Sequence, residues 1–386
     1  MSRVAVLKTA PPTVIRDYGL LMRLADYKRF LPKQYETALK INVSWHYFYP
    51  ACSTTPWQLE GVISTLLEDG YDKEKLYGCH NRTVVVSAKR GERANKLKPV
   101  LEQYGLRNIH LYEENEEWIR YAPRAKMLAI DKVYPEGIRI PKRLVGSNVV
   151  HLPTMKTHIF TQMTGAMKNA FGGLLFEKRH WTHSVIHETL VDLLAIQKEI
   201  HPGLFAVMDG TFAGDGPGPR CMTPNVKNYI LAGGDMVAID AVAAKMMGFD
   251  PLSIKFIRLA HERGLGCGDP RDIEVVGEDV SDVNFHFHVG NTLASRGQKA
   301  IYWGPLHRLE RFLLRSVLAP WSYAASILYH DVFWYNLVGR ARVRRALQTE
   351  WGKLFAGYDS GTIVNCPGDS RSSGSSAALA GTRRSS

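Results

Sequence analysis

The 386-residue chain carries 49 Lys+Arg against 37 Asp+Glu, a formal charge of +12, with 45% hydrophobic and 22% charged residues. That composition excludes a wholly disordered chain, a collagen and a coiled-coil rod. The length suits two domains, or one large domain with appendages, and allows a core that needs no disulfide staples. Val4–Lys8 and Ala38–Trp45 read as strands. Pro56–Asp69 reads as a helix, with Thr55 as N-cap and Pro56 at the first helical position. Thr83–Ala88 reads as a strand, Arg93–Tyr104 as a helix, and Ile109–Tyr112, Met127–Val133 and Asn148–Thr154 as strands. Helical patterns follow at Gly165–Leu174 and His180–Ile200, then strands at Leu204–Met208 and Tyr229–Ala232. Asp235 is placed to cap Met236–Met247, Ser253 to cap Ile254–Arg263, and Ile273–Val276 is a last strand. Strands alternating with helical patterns of about a dozen residues predict an α/β protein with largely parallel sheets.

The basic excess is uneven. From Arg296 to Arg345 there are nine Lys/Arg against Glu310 and Asp331, which supplies +7 of the +12. Between its basic flanks, Ser316–Gly339 holds one formal charge, Asp331, and many aromatics. Pro320, Asn336 and the His330-Asp331 pair argue against a bilayer span. Aromatic enrichment with basic flanks fits a segment lying on anionic lipid. The same pattern fits a buried helical hairpin or an oligomer interface. Its apolar middle does not fit a nucleic-acid arm. After Ala356 the chain turns rich in Ser and Gly, and 356–386 reads as a disordered tail. The five cysteines have no CxxC spacing, so neither a zinc ribbon nor an iron–sulfur motif is written here. With charges interrupting Met1–Phe30, this predicts a cytoplasmic, reducing setting, and the lipid reading of 316–339 would add peripheral membrane association.

The most informative stretch is His151-Leu-Pro-Thr-Met-Lys156-Thr-His158, followed by Thr164-Gly-Ala-Met-Lys168-Asn169. A strand ends in Lys and His, and a Thr-Gly turn opens a helix bearing Lys168 and Asn169. Ligands of α/β sheets sit at the carboxyl ends of strands, and a helix start there offers N–H groups to an anion. The Gly pattern matches neither the P-loop nor the dinucleotide fingerprint, and spacing alone divides evenly between an anion pocket and ordinary surface lysines. Asp209 and Asp215 lie in a glycine-rich loop, suited to acid/base or metal work, with Arg220 close behind to pair with an anion. His180, His183 and His187 would share one face of a continuous helix. The set reads more readily as satisfied histidines than as a metal face, with His187 the residue to hold a divalent metal.

At these residues the sequence resembles the family called domain of unknown function 362. The block Lys156-Thr-His158 … Thr164-Gly-Ala-Met-Lys168-Asn169 … Gly172 carries the likeness. So do Lys40-Ile-Asn42 (Ile41 standing where a Pro is common), the Met208-Asp209-Gly210 and Gly214–Gly218 loop, and Asp235-Met-Val-Ala-Ile-Asp240-Ala. The likeness spans roughly Val4 to Val276. Many members add a four-cysteine iron–sulfur module that this chain lacks. The resemblance implies no particular reaction, and it favours His187 within its helix.

The expected architecture is two Rossmann-like α/β lobes, 1–145 and 146–290, then a helical, apolar and basic appendage, 291–355. The first functional expectation is an enzyme acting on a phosphate- or carboxylate-bearing small molecule between the lobes. Lys40, Lys156, Lys168 and Arg220 would bind the anion. Asn42, Thr55, Thr164 and Asn169 would orient it, and His158, Asp209 and Asp215 would do acid/base or metal work. Two lysines in one pocket would depress one another's pKa. The alternatives are a non-enzymatic module docking on lipid or a partner through 309–345, and a redox protein whose cofactor the cysteine spacing does not announce.

Overall fold

A computed structural model describes residues 1–83, 85–315 and 319–358. The strands are β1 (Ser2–Lys8), β2 (Thr37–Ile41), β3 (Leu76–His80), β4 (Arg107–His110), β5 (Trp118–Tyr121), β6 (Ile138–Pro141), β7 (Asn148–Leu152), β8 (Thr154–His158), β9 (Gln162–Met163), β10 (Leu204–Asp215), β11 (Thr223–Gly233) and β12 (Ile273–Gly277). One large sheet runs in the order β12-β1-β11-β10-β7-β2-β3-β4, with β8 beside β10 and β9 beside β8. Along that main order every neighbouring pair is parallel except the two made by β11, which is antiparallel to both β1 and β10. β5 and β6 form a separate antiparallel ribbon. The mixed α/β class with a largely parallel sheet is therefore the fold. Strands from 1–145 and 146–290 share this sheet, since β1 lies between β12 and β11 and β2 pairs with β7.

The sheet is covered on both faces, which is why β2, β3 and β7 are buried at every position. Alternation along each strand sends residues to two separate cores. In β10, Phe205 and Val207 enter one core while Ala206 and Met208 enter the other. The first core is closed by helices Val14–Leu24, Pro56–Glu68 and Leu97–Gln103, the second by Ile186–Ile200, Met236–Met247 and Lys255–Glu262. Helices Val14–Leu24 and Pro56–Glu68 touch closely at Gly61, where a Cβ would stand 2.7 Å from Tyr18 Cβ.

Several local expectations change. Met127–Val133 is not a strand; Ile130–Val133 is a short helix. The reason is the buried Asp192 carboxylate, which accepts the N–H groups of Leu128, Ala129 and Ile130. The strand expected at Thr83–Ala88 is replaced in the sheet by β3; among the described residues there, Thr83 and Val86 form one bridge and Ala88 opens a helix. Ser253 does not cap Lys255–Glu262; its hydroxyl donates to the Asp250 carbonyl at 2.6 Å. Arg93–Tyr104 breaks at Lys96, which has φ +57°. Asp235 does cap Met236–Met247, accepting from Val237 and Ala238 N–H.

The C-terminal segment is helical, as expected. Its described elements are Leu293–Tyr302, Glu310–Arg315, Ala319–Ile327, a π-helical stretch Leu328–Gly339, Arg340–Leu347 and Glu350–Gly357. Among the described residues no helix is long and apolar enough to cross a membrane. The segment is fastened to the body. Asp331 is buried, accepting from Trp45 Nε1 at 2.6 Å and lying 3.3 Å from His46 Nε2. Tyr335 stacks on Tyr47, Phe355 stacks on Phe48, and Lys96 Nζ donates to the Phe355 carbonyl at 2.6 Å. Residues 359–386 of the expected tail lie outside the described residues; Tyr358 OH donates to Glu60.

Candidate functional site

A cavity of about 510 Å³ opens at the carboxyl ends of β2, β3 and β8. Seven of the eight residues expected to bind a ligand line it: Lys40, Asn42, Lys156, Thr164, Lys168, Asn169 and Arg220. His158 lines it as well. β2 supplies Lys40, β8 supplies Lys156 and His158, and the loop joining β10 to β11 supplies Arg220. The C-terminal segment closes the far side with Tyr302, Leu314, Trp321, Tyr323, Ser326 and His330.

The turn at Thr164 is built for a different purpose from the one its spacing suggested. Gly165 has φ +92°, and a Cβ there would fall 2.2 Å from Asp240 Oδ1. Asp240 reaches in to accept the Ala166 N–H at 2.6 Å and the Met167 N–H at 3.0 Å. The start of this short helix is thus already occupied by a carboxyl group. Burial raises the Asp240 pKa to about 8, against the pull of those two N–H groups. What faces the cavity instead is side-chain charge.

That charge is one-sided. Lys40 is 4% exposed, Lys156 1% and Arg179 7%, and part-buried Lys168 and Arg220 join them. No aspartate or glutamate lines the cavity among the described residues. Burial lowers Lys40 and Lys156 to about 8. It lowers Lys168 to about 7, with Lys156 and Arg179 repelling it further, which is the mutual depression expected of lysines sharing a pocket. Arg179 falls to about 10 through burial, and Arg220 is lowered by burial with Asp331 partly compensating. Neutral acceptors hold some of these groups. Lys40 Nζ donates to the Ile41 carbonyl at 2.6 Å, and Lys156 Nζ to the Cys52 carbonyl and to Ser44 Oγ at 3.1 Å. Arg179 Nη2 donates to the Arg82 carbonyl at 2.7 Å, while its Nη1, like Nη1 of Arg220, is buried with no hydrogen-bond partner among the described residues. Asn169 Nδ2 donates to the Lys40 carbonyl at 2.8 Å, so Asn169 braces β2.

His158 Nδ1 accepts the Phe160 N–H at 3.1 Å, so a neutral ring carries its proton on Nε2. Burial, and then Lys168, push its pKa well below the usual value. In this state the ring is a hydrogen-bond donor rather than a ready base. Lys168, near 7, is the side chain whose pKa matches proton transfer at neutral pH.

The remaining expected residues lie elsewhere. Asp209 is completely buried beneath helix Pro56–Glu68. Its Oδ2 accepts from Tyr18 OH at 2.7 Å, Trp57 Nε1 at 2.8 Å and Thr55 Oγ1 at 2.9 Å, and its Oδ1 accepts from the backbone N–H and hydroxyl of Thr211. Thr55 is thereby committed to Asp209 and to its own capping box with Gln58. Asp215 Oδ1 accepts the His288 N–H at 2.7 Å, outside the cavity. The histidine helix breaks, since Glu177–Val185 is 3₁₀ and only Ile186–Ile200 is α. His180 and His183 therefore line the cavity, whereas His187 lies against Phe256. Among the described residues, the grouping in which three potential metal-ligand atoms converge is His80, Glu92 and His110, without His187. There Glu92 Oε2 lies 2.8 Å from His80 Nε2 and 2.9 Å from His110 Nε2, and accepts from Asn108 at 2.8 Å. Burial pushes the Glu92 carboxyl up, and the bonds from His110 and His80 outweigh it, leaving it below the usual carboxylate range.

Sequence reasoning missed Arg179, His80 and the roof residues of the C-terminal segment. Arg179 had one signal, its place directly before His180 and His183; the roof had none, because its partners are over a hundred residues away.

A thylakoid-associated protein of Synechocystis sp. is 29% identical over 136 residues, which cover 33% of this chain and 41% of that protein. This chain therefore spans less than half the length of that relative. No solved structure matches the chain. The family model described as Domain of unknown function (DUF362) matches residues 37–245, which carry all the cavity residues contributed by β2, β3, β8 and the β10–β11 loop. The chain belongs to that family.

Proposed function

We propose that the chain is an enzyme that binds a phosphate- or carboxylate-bearing molecule in this cavity. One observation carries the reading: five cationic side chains line a cavity that, among the described residues, no carboxylate lines. Burying unpaired charge is costly, and the lowered lysine pKa values express that cost. An anion relieves it, since Arg179 and Arg220 each hold one Nη1 that is buried without a hydrogen-bond partner among the described residues. His158 Nε2–H donates to the ligand, and Lys168 serves as base or nucleophile once deprotonated. The test is isothermal titration with inorganic phosphate, pyrophosphate and small carboxylates. Wild type should bind at least one of them, and Lys168→Ala should bind it about tenfold or more weakly. Equal binding by both proteins contradicts the assignment.

A second observation favours peripheral membrane association. Among the described residues, twelve of the eighteen exposed large hydrophobic side chains fall between Leu293 and Leu347. Singly exposed apolar residues are ordinary, but a concentration of them is not. The exposed Arg340, Arg344 and Arg345 lie beside them. The pairing of apolar side chains with arginines suits an anionic lipid surface. The printed description of the Synechocystis relative, thylakoid-associated, agrees with this reading.

A further inference from the structure

The cavity has two unlike walls. Five cations line it: Lys40 of β2, Lys156 of β8, Lys168 of the short helix Ala166–Asn169, Arg179 of the 3₁₀ segment Glu177–Val185 and Arg220 of the β10–β11 loop. Also lining it is a small apolar cluster separate from the two cores of the sheet: Ile301, Tyr302 and Leu314, with Phe160 packed against it. Phe160 meets the Tyr302 ring edge-on at 5.7 Å. All four line the cavity, together with Trp321. A ligand that was only a small polar anion would leave this wall wet and unused. The segment that supplies the wall also has an outer side. Phe333 is 58% exposed and Leu337 65%, with Leu328 and Val332 exposed nearby. Asp331, on the same π-helical stretch, is buried against Trp45 and His46, so the stretch is held in place with its apolar side outward.

We infer that the ligand is an amphiphilic anion, an acidic phosphate or carboxylate head bearing an apolar chain, taken from a membrane surface on which the C-terminal segment rests. The inference depends on the anion-binding reading above and adds the chain and its source. The head pairs with the cations at the sheet edge. The chain lies along Phe160, Ile301, Tyr302 and Leu314. The cavity, about 510 Å³, holds a head and a short length of chain and leaves a longer chain to follow the roof outward.

The experiment titrates the full chain with inorganic phosphate and with butyl, hexyl and octyl phosphate below their micelle concentrations. Affinity should rise about three- to fourfold per added methylene until the apolar wall is covered. Ile301→Ala and Leu314→Ala should flatten that rise while leaving inorganic phosphate affinity unchanged. If inorganic phosphate binds and the alkyl chain adds nothing, the amphiphile is wrong and the anion site stands. If none of the phosphates or the matching alkyl carboxylates binds, the anion reading itself falls. The source is tested with phosphatidylcholine vesicles with and without phosphatidic acid. Vesicles containing phosphatidic acid should compete with octyl phosphate, and Phe333→Asp/Leu337→Asp should abolish that competition without changing octyl phosphate affinity. Octyl phosphate binding with no vesicle competition makes the ligand a soluble amphiphile and overturns the membrane source.

Discussion

Buried ionisable groups occur in two regions of this molecule and are treated in opposite ways. Under helix Pro56–Glu68 and at the Gly165 turn, Asp209 receives five donor contacts and Asp240 two backbone N–H groups. At the sheet's carboxyl edge, five cations share a cavity lined, among the described residues, by no acid, and two of them keep a buried nitrogen with no hydrogen-bond partner among those residues. The first arrangement braces a fold, because each charge or hydrogen-bonding group is matched. The second leaves an electrostatic demand unmet, and that is the observation on which the proposed anion site rests. Residue type alone does not separate the two, since both regions lie within the family block; the partners do.

Mutations should divide along that line. The largest effect is expected for Asp209→Ala, which strands Tyr18, Thr55 and Trp57 donors in the core and should cost about 3 kcal/mol or more by chemical denaturation. Asp240→Ala should cost about 2–3 kcal/mol for two unpaired N–H groups and disorder the Thr164 turn. If either variant keeps wild-type stability, the bracing account is wrong. Lys168→Met should behave oppositely, removing an unpaired cation and holding or raising stability while ligand binding drops about tenfold.

The next effect is on pH. The cavity lysines sit at about 7 to 8 in the folded chain against 10.5 as the ordinary value. The unfolded chain therefore holds more protons between about pH 7 and 10, and stability of the ligand-free protein should rise across that window. Below pH 7 both states are protonated, so these groups add no further change. Anion affinity should fall over the same interval as the lysines discharge. A flat titration of both quantities would remove the unpaired lysines from the account. The smallest effect on stability is expected at the roof: Phe333→Asp/Leu337→Asp should leave the unfolding midpoint nearly unchanged and lower sedimentation with anionic vesicles.

The fold class was legible because parallel strands and covering helices leave period patterns in the sequence. β3 was not, because Leu76-Tyr-Gly-Cys-His80 carries a glycine and a histidine where an apolar run was sought. Ile130–Val133 reads as a strand in isolation and turns helical only because Asp192, about sixty residues away, gathers its N–H groups. At the site, Lys40, Lys156 and Arg220 were legible as strand-end and loop residues at one sheet edge, and Lys168 as a residue of the helix that opens there. Asp209 also ends the buried-looking stretch Leu204–Met208, and the same reasoning placed it in the pocket; β10 instead continues to Asp215, and its side chain turns to Tyr18 and Trp57. Strand-end position selects an edge of the sheet, and only packing decides which side of that edge a side chain serves.

The most direct test is thermal unfolding of wild type and Lys168→Met, each with and without saturating phosphate or alkyl phosphate at pH 6.5. The account predicts that the ligand raises the wild-type midpoint, while the variant starts at or above the ligand-free wild type and gains little from ligand. A variant that melts well below wild type, or that is stabilised by ligand as strongly, would contradict the claim that the cavity's charges await an anion.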